Sequence, residues 1–162
     1  VTEGDGFRFG HVQAGTPLIA LEGDSVLARL LPRGYYDPRG PAGDVFRAMA
    51  NAGKLKNVGI MGMGAAGLAA YGVPGATFVF YEIDPAVIAI AGEPKYFTYV
   101  SKSRATTGYV EGDGRMRIAE SPESSFDLIV LDVFSSDSIP THLVTLEAIR
   151  DVYVPRLKPQ HC

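Results

Sequence analysis

The stretch VGIMGMGAAGLAAYG, Val58 to Gly72, decides the fold. An apolar run, Val58 to Met61, is followed by Gly62, Gly64 and Gly67 in G-x-G-x-x-G spacing. A helix-favouring segment, Leu68-Ala69-Ala70-Tyr71, comes directly after. A strand that breaks into a glycine turn and reopens as a helix turns backbone N–H groups toward one point. Glycine lets that backbone approach a ligand with no Cβ in between. Glu82 stands 20 residues beyond Gly62, an offset at which an acid bonds the hydroxyls of a ribose. The combination points to a nucleoside cofactor. The alternative is a glycine turn that serves only close helix–strand packing.

Working outward, the rhythm from Asn57 onward is strand, helix, strand, helix. After Val58–Met61 comes TFVFYE, Thr77 to Glu82. DPAVIAIAG then predicts a helix capped by Asp84, with Pro85 at the first helical position and Gly92 at the end. GYVEG supplies a third strand around Tyr109 to Glu111. FDLIVLDVF supplies a fourth, whose continuous apolar run suits burial on both faces. A last helix is predicted from Leu143 to Val154, before Pro155 and Pro159. Such alternation implies a Rossmann-like α/β fold, a mostly parallel sheet with helices on both faces.

The region before the glycine turn reads differently. FRFGHVQ is a short, partly alternating strand, and TPLIALEGDSVLARLL places a Gly23-Asp24 turn between two apolar runs, as in a hairpin. Pro32 to Gly43 is dense in proline and glycine and predicts loop. A helix is expected next, with Asp44 as N-cap and Val45, Phe46 and Met49 on one face. Residues 1–43 thus form a small β region and loop, and residues 44–162 the nucleoside-binding domain.

The chain has 162 residues, a net charge of −3 and 46% hydrophobic residues, which fits one domain with a real core. Scattered Lys and Arg give no nucleic-acid surface. No apolar run approaches the roughly 20 residues of a membrane span. The single cysteine, Cys162, forms no internal disulfide, and His11, His142 and His161 lack metal-ligand spacing. A cytoplasmic protein without a bound metal is expected.

The notable polar residues fall at predicted strand ends, where doubly wound sheets bind ligands. Gly62, Gly64 and Gly67 follow strand one and Glu82 closes strand two. Asp113 follows strand three and Asp132 closes strand four. An unpaired carboxylate at the tip of a buried strand is costly, which singles out Asp132.

YEIDPAVIAIA, GYVEGDGRMRIAE and FDLIVLDVFSSDSIPTHLVTLEAIRDVYVPRLKP together resemble the spermidine synthase (polyamine aminopropyltransferase) family. The likeness is greatest to its spermidine-synthase-like branch, often fused to membrane transporters, and runs from about Tyr35 to Pro159. The resemblance implies the class I S-adenosylmethionine-dependent methyltransferase fold. It implies that Gly62, Gly64 and Gly67 surround the nucleoside and sulfonium. Glu82 would bind the ribose hydroxyls with Ile83 beside it, and Asp113 would lie near the adenine amino group with Gly114 beside it. Asp132 would hold and deprotonate the attacking amine.

Two departures stand out. Aminopropyltransferases usually read G-G-G-D-G-G at the loop, whereas GMGAAG carries Ala65 at the acid's place. Their D-S-S-D-P has an acid where this chain has Ser135. Aminopropyl transfer needs a neutral amine, yet an amine with a pKa near 10 is almost wholly protonated at neutral pH, so a carboxylate must accept its proton. Asp132 and Asp137 are suited to that work, and to holding the distal cation of a polyamine.

The implied activity is transfer from decarboxylated S-adenosylmethionine, or S-adenosylmethionine, to a small amine. It would release methylthioadenosine or S-adenosylhomocysteine. A non-catalytic nucleoside-binding or assembly module and a small-molecule methyltransferase are the alternatives. Asp113 and Asp137 also suit helix or turn capping, His142 suits the surface, and Tyr35 and Tyr36 suit either a pocket wall or packing. The family fold continues beyond Arg156-Leu157-Lys158-Pro159 into a fifth strand and an antiparallel pair that this chain lacks. An open strand-four edge therefore predicts a homodimer.

Overall fold

A computed structural model of the chain describes residues 7–10, 32, 36–133 and 140–159. In chain order the elements are β1 (Phe7–Gly10), α1 (Pro41–Asn51), β2 (Asn57–Met61), a 3-10 turn (Gly67–Tyr71), β3 (Thr77–Glu82) and α2 (Pro85–Gly92). There follow α3 (Tyr99–Lys102), β4 (Thr106–Glu111), α4 (Gly114–Ala119) and β5 (Leu128–Leu131). A 3-10 turn (Thr141–Leu143), a π-helical stretch (Ala148–Tyr153) and α5 (Val154–Arg156) close the described chain.

The sheet order is β1-β4-β3-β2-β5. β2 pairs in parallel with β3 on one side and β5 on the other, β3 pairs in parallel with β4, and β1 lies antiparallel on β4. From β2 the chain steps outward to β3 and β4, then returns to the other side of β2. The winding direction therefore reverses between β2 and β5, the position at which doubly wound sheets form their ligand crevice, at the carboxyl ends of the strands.

Strand alternation explains why both faces are covered. Val58, Ile60, Phe78 and Phe80 point to one face, where Phe46 of α1 and Ile88 of α2 meet them. Met61, Val79 and Tyr81 point to the other, onto Ile118 of α4 and Ala148 and Tyr153 of the last helical segment. Period-two side chains that are apolar in both phases require a layer on each side. The fold is an α/β Rossmann-like sandwich.

Several expectations shift. α1 starts at Pro41 with Gly40 as its N-cap, so Asp44 lies inside the first turn rather than capping it. Pro41 is preset for a first helical position, and Gly43 packs so closely on the Pro38 carbonyl that no Cβ fits between them. Phe46 is buried, but Val45 faces solvent. The segment after the glycine loop forms one 3-10 turn, not a longer helix. Gly72 presses onto Ser103 and Ala105 in extended backbone, and Val73 precedes Pro74, which disfavours helix.

β5 is only half-buried on all four residues, against the expected two-sided burial, because β2 is its one full strand neighbour. Leu157 adds a single parallel bridge to Phe126. Lys158 Nζ bonds both Asp127 oxygens at 2.9 Å, while Asp127 also accepts from the Asn57 N–H. The last helix widens into a π stretch before Pro155. Proline has no N–H to give the Asp151 carbonyl, which accepts from Arg156 Nη1 at 3.4 Å instead. The Gly23-Asp24 hairpin lies outside the described residues.

Candidate functional site

The three loop glycines serve three different purposes. At Gly62, φ is +86°, and a Cβ would overlap the carbonyl oxygen of Asp132, so this glycine lets β2 and β5 close on each other. The ladders run on past β2 on both sides: the Gly62 N–H donates to Tyr81 O of β3 and the Asp132 N–H to Met61 O of β2, each at 2.8 Å. Gly64, at φ +50°, has nothing within 4 Å of its would-be Cβ: the backbone faces open space. Gly67 lies under the Tyr36 ring, whose Cδ2 is 3.4 Å from that position. Close packing thus accounts for Gly62 and open approach for Gly64.

Glu82 at the end of β3 turns back onto this loop. Its Oε2 accepts from the Met63 N–H at 2.9 Å and its Oε1 from the Asp84 N–H at 3.0 Å. Each oxygen retains a second lone pair for a hydroxyl donor. Ile83 beside it is 67% exposed, an apolar surface held in water at a strand end. Asp84 caps α2 through the Ala86 N–H at 2.8 Å and stays exposed, as a cap should.

Asp113 lies two residues past Glu111, the register partner of Glu82. It caps α4 by accepting the Met116 N–H at 3.0 Å on Oδ1, and its Oδ2 is 2.8 Å from His142 Nε2. Arg115 Nη1 donates to the His142 carbonyl at 2.9 Å, tying the same turn down twice. Burial works against the Asp113 charge, but the Met116 N–H and His142 outweigh it and hold the carboxyl below its usual range. Gly114 packs on Met61, where a Cβ would meet the Met61 side chain.

Asp132 follows β5 directly. Burial pushes its carboxyl above the usual range, and the Tyr36 phenol, donating to Oδ1 at 2.6 Å, pulls part of the way back. Burial first, then the Asp132 bond and charge, push the Tyr36 hydroxyl well up, so it remains a donor. The Tyr71 hydroxyl donates to the Tyr36 carbonyl at 2.5 Å and is itself pushed up to about 12, chiefly by burial. Tyr71 in turn stacks on Phe46 at 4.7 Å. The loop before α1 is thereby pinned over the switch point. Asp137, Ser135 and Tyr35 lie outside the described residues.

Gly62, Gly64, Gly67, Glu82 and Asp132 thus meet at the glycine loop: the Asp132 carbonyl on Gly62, Glu82 on the Met63 N–H, and Tyr36 between Gly67 and Asp132. Asp113, Gly114 and Ile83 flank it on the β3–β4 side. Tyr36 is the participant that residue patterns left undecided, and His142, read as a surface residue, is exposed yet bonded to Asp113. The signal available for His142 was its position, where the chain returns across the strand ends.

Compared by sequence, the chain matches no protein-family profile and no curated protein. Compared by fold, it is similar to the crystal structure of a probable spermidine synthase from Corynebacterium glutamicum ATCC 13032. The TM-score is 0.56 and the identity 22%, over 70% of this chain. The chain spans 41% of the length of that protein. The likeness is one of fold, a Rossmann-like sheet with helices shared with that protein. Among the described residues no helix is long and apolar enough to cross a membrane.

Proposed function

We propose that the crevice between β2 and β5 binds a sulfonium nucleoside and that Asp132 prepares an amine to receive its alkyl group. The observation that carries this is the meeting of Asp132, raised by burial and held by Tyr36, with a glycine loop whose Gly64 faces open space. The crevice suits a nucleoside on its own terms. Glu82 braces the loop while keeping lone pairs for ribose hydroxyls, and Ile83 offers an apolar surface for a base. Asp113 follows two residues after Glu111, the register partner of that acid.

Decarboxylated S-adenosylmethionine, or S-adenosylmethionine, would supply a carbon activated for displacement. Asp132 takes the proton of the incoming ammonium, because a carboxyl raised by burial is a stronger base than one in water. Tyr36 fixes the direction of Oδ1. Gly62 sets the distance between the loop and the base, so in-line geometry follows from how β2 and β5 pack. The protein of similar fold is a probable spermidine synthase, which favours aminopropyl transfer. Ala65, in place of the acid usual in aminopropyltransferase loops, favours a methyltransferase as the second reading.

Calorimetry with methylthioadenosine, S-adenosylmethionine and its decarboxylated form tests the proposal. Binding of the decarboxylated form and a mass gain on putrescine, lost in Asp132→Asn, support aminopropyl transfer. Binding of the carboxylated cofactor alone turns the assignment to methyl transfer. No binding of any of the three at millimolar concentration sinks both. A homodimer through the outer edge of β5 belongs to the same proposal, and a monomer by sedimentation would exclude it.

A further inference from the structure

A second cavity, of about 370 Å3, lies between α1 and the segment that follows the glycine loop. Phe46, Ala50, Tyr71 and Val73 give it an apolar wall, in which the Phe46 and Tyr71 rings are stacked within 7° of parallel. Three arginines, Arg39, Arg47 and Arg104, are among the residues that line it. Its size falls within the range of small-molecule pockets, which characteristically combine an apolar lining with a few polar anchors.

The charges around it do not cancel. Arg39 forks onto Asp37 at 2.9 and 3.1 Å. Arg47 stands 3.4 Å from Asp44 and donates to the Pro38 carbonyl. Arg104 has no carboxylate within salt-bridge reach among the described residues, and its Nε is buried without a hydrogen-bond partner. Three guanidinium groups against two carboxylates leave one positive charge, on Arg104. A guanidinium fork matches a carboxylate or phosphate in geometry and charge.

We propose that this cavity is a ligand site for a small monoanion with an aromatic or alkyl body, an aryl carboxylate being the simplest case. The carboxylate sits on Arg104 and the body lies against Phe46, Tyr71, Ala50 and Val73. The site uses neither Glu82 nor Asp132, so its test is separate from that of nucleoside binding.

Titrations of the full chain with benzoate, benzyl alcohol and inorganic phosphate, followed by calorimetry or amide NMR shifts, test it. Benzoate should saturate, with benzyl alcohol and phosphate weaker by about tenfold or more, since each lacks one half of the recognition. Arg104→Ala should weaken benzoate about tenfold or more. Ala50→Phe should block it by filling the cavity while leaving Arg104 in place. Circular dichroism establishes that both variants are folded. The proposal is overturned if benzoate fails to saturate at millimolar concentration, if phosphate binds as tightly, or if either folded variant binds like the wild type.

Discussion

The Tyr36 phenol donates a 2.6 Å hydrogen bond to Asp132 Oδ1, joining a loop and a strand end that lie 96 residues apart in the chain. The contact holds a carboxyl that burial has pushed toward its neutral form. An acid with a raised folded pKa binds its proton more tightly folded than unfolded. Its cost to stability is absent below the unfolded value and grows as pH rises through the folded one. Asp132→Asn should therefore raise Tm at pH 7.5 and lose the gain at pH 3.5. Transfer activity should vanish in the same variant. Thermal melts at the two pH values check it, and equal shifts at both would refute the assignment.

Tyr36→Phe removes the donor and leaves the ring over Gly67. Asp132 should then titrate still higher, because the bond that pulls it down is gone. Carboxyl carbon shifts of labelled Asp132 would report the upward move. An unchanged midpoint would mean that burial alone sets it.

Gly62 and Gly64 should respond in opposite ways to a methyl group. At Gly62 the left-handed backbone and the Asp132 carbonyl both exclude a Cβ, so Gly62→Ala should cost about 3 kcal/mol or more in denaturant unfolding. At Gly64 the space is open, and Gly64→Ala should cost only the left-handed penalty, about 1 kcal/mol. Its larger effect should be weaker methylthioadenosine binding. Equal stability losses would show that the two positions do not differ as described.

Glu82→Gln keeps the shape of the side chain but puts an NH2 against one of two backbone N–H groups, Met63 or Asp84. Loss of that charge-assisted bond should destabilise the fold by about 1 kcal/mol and weaken methylthioadenosine by about tenfold or more. Calorimetry and urea melts separate the two effects. Undiminished binding would remove Glu82 from the site.

His142→Ala should move the acid limb of stability. Asp113 is held low in the folded state, so its contribution is present above the unfolded value and lost as pH falls through the folded one. Removing His142 brings that folded value closer to the unfolded one, so less stability should be lost on acidification. The variant's melts should converge on those of the wild type at low pH. A constant offset across pH would mean that the contact is packing alone.

Much of this architecture could be read from local pattern. Thr77–Glu82 and the Asp84-capped helix ending at Gly92 appear within the predicted bounds, because a two-phase apolar strand and a capping acid before Pro85 are signals carried by neighbouring residues. Glu82 was legible from its distance to Gly62. The start of α1, the short 3-10 turn and the π stretch were not. Each depends on contacts from elsewhere, such as Pro38 on Gly43 and Ser103 on Gly72, or on a carbonyl that Pro155 cannot serve.

Residue order thus established the alternating strands and helices, the glycine loop and the acids at strand ends, since each follows from spacing along a single element. Spacing could not say that Gly62 is glycine because Asp132 leaves no room for a Cβ. Nor could it show Tyr36 on Asp132, His142 on Asp113, or Arg104, without a carboxylate partner among the described residues, beside an aromatic wall. Those are meetings between segments distant in the chain. They come into being only when β5 returns beside β2 and the loop before α1 folds down over the crevice.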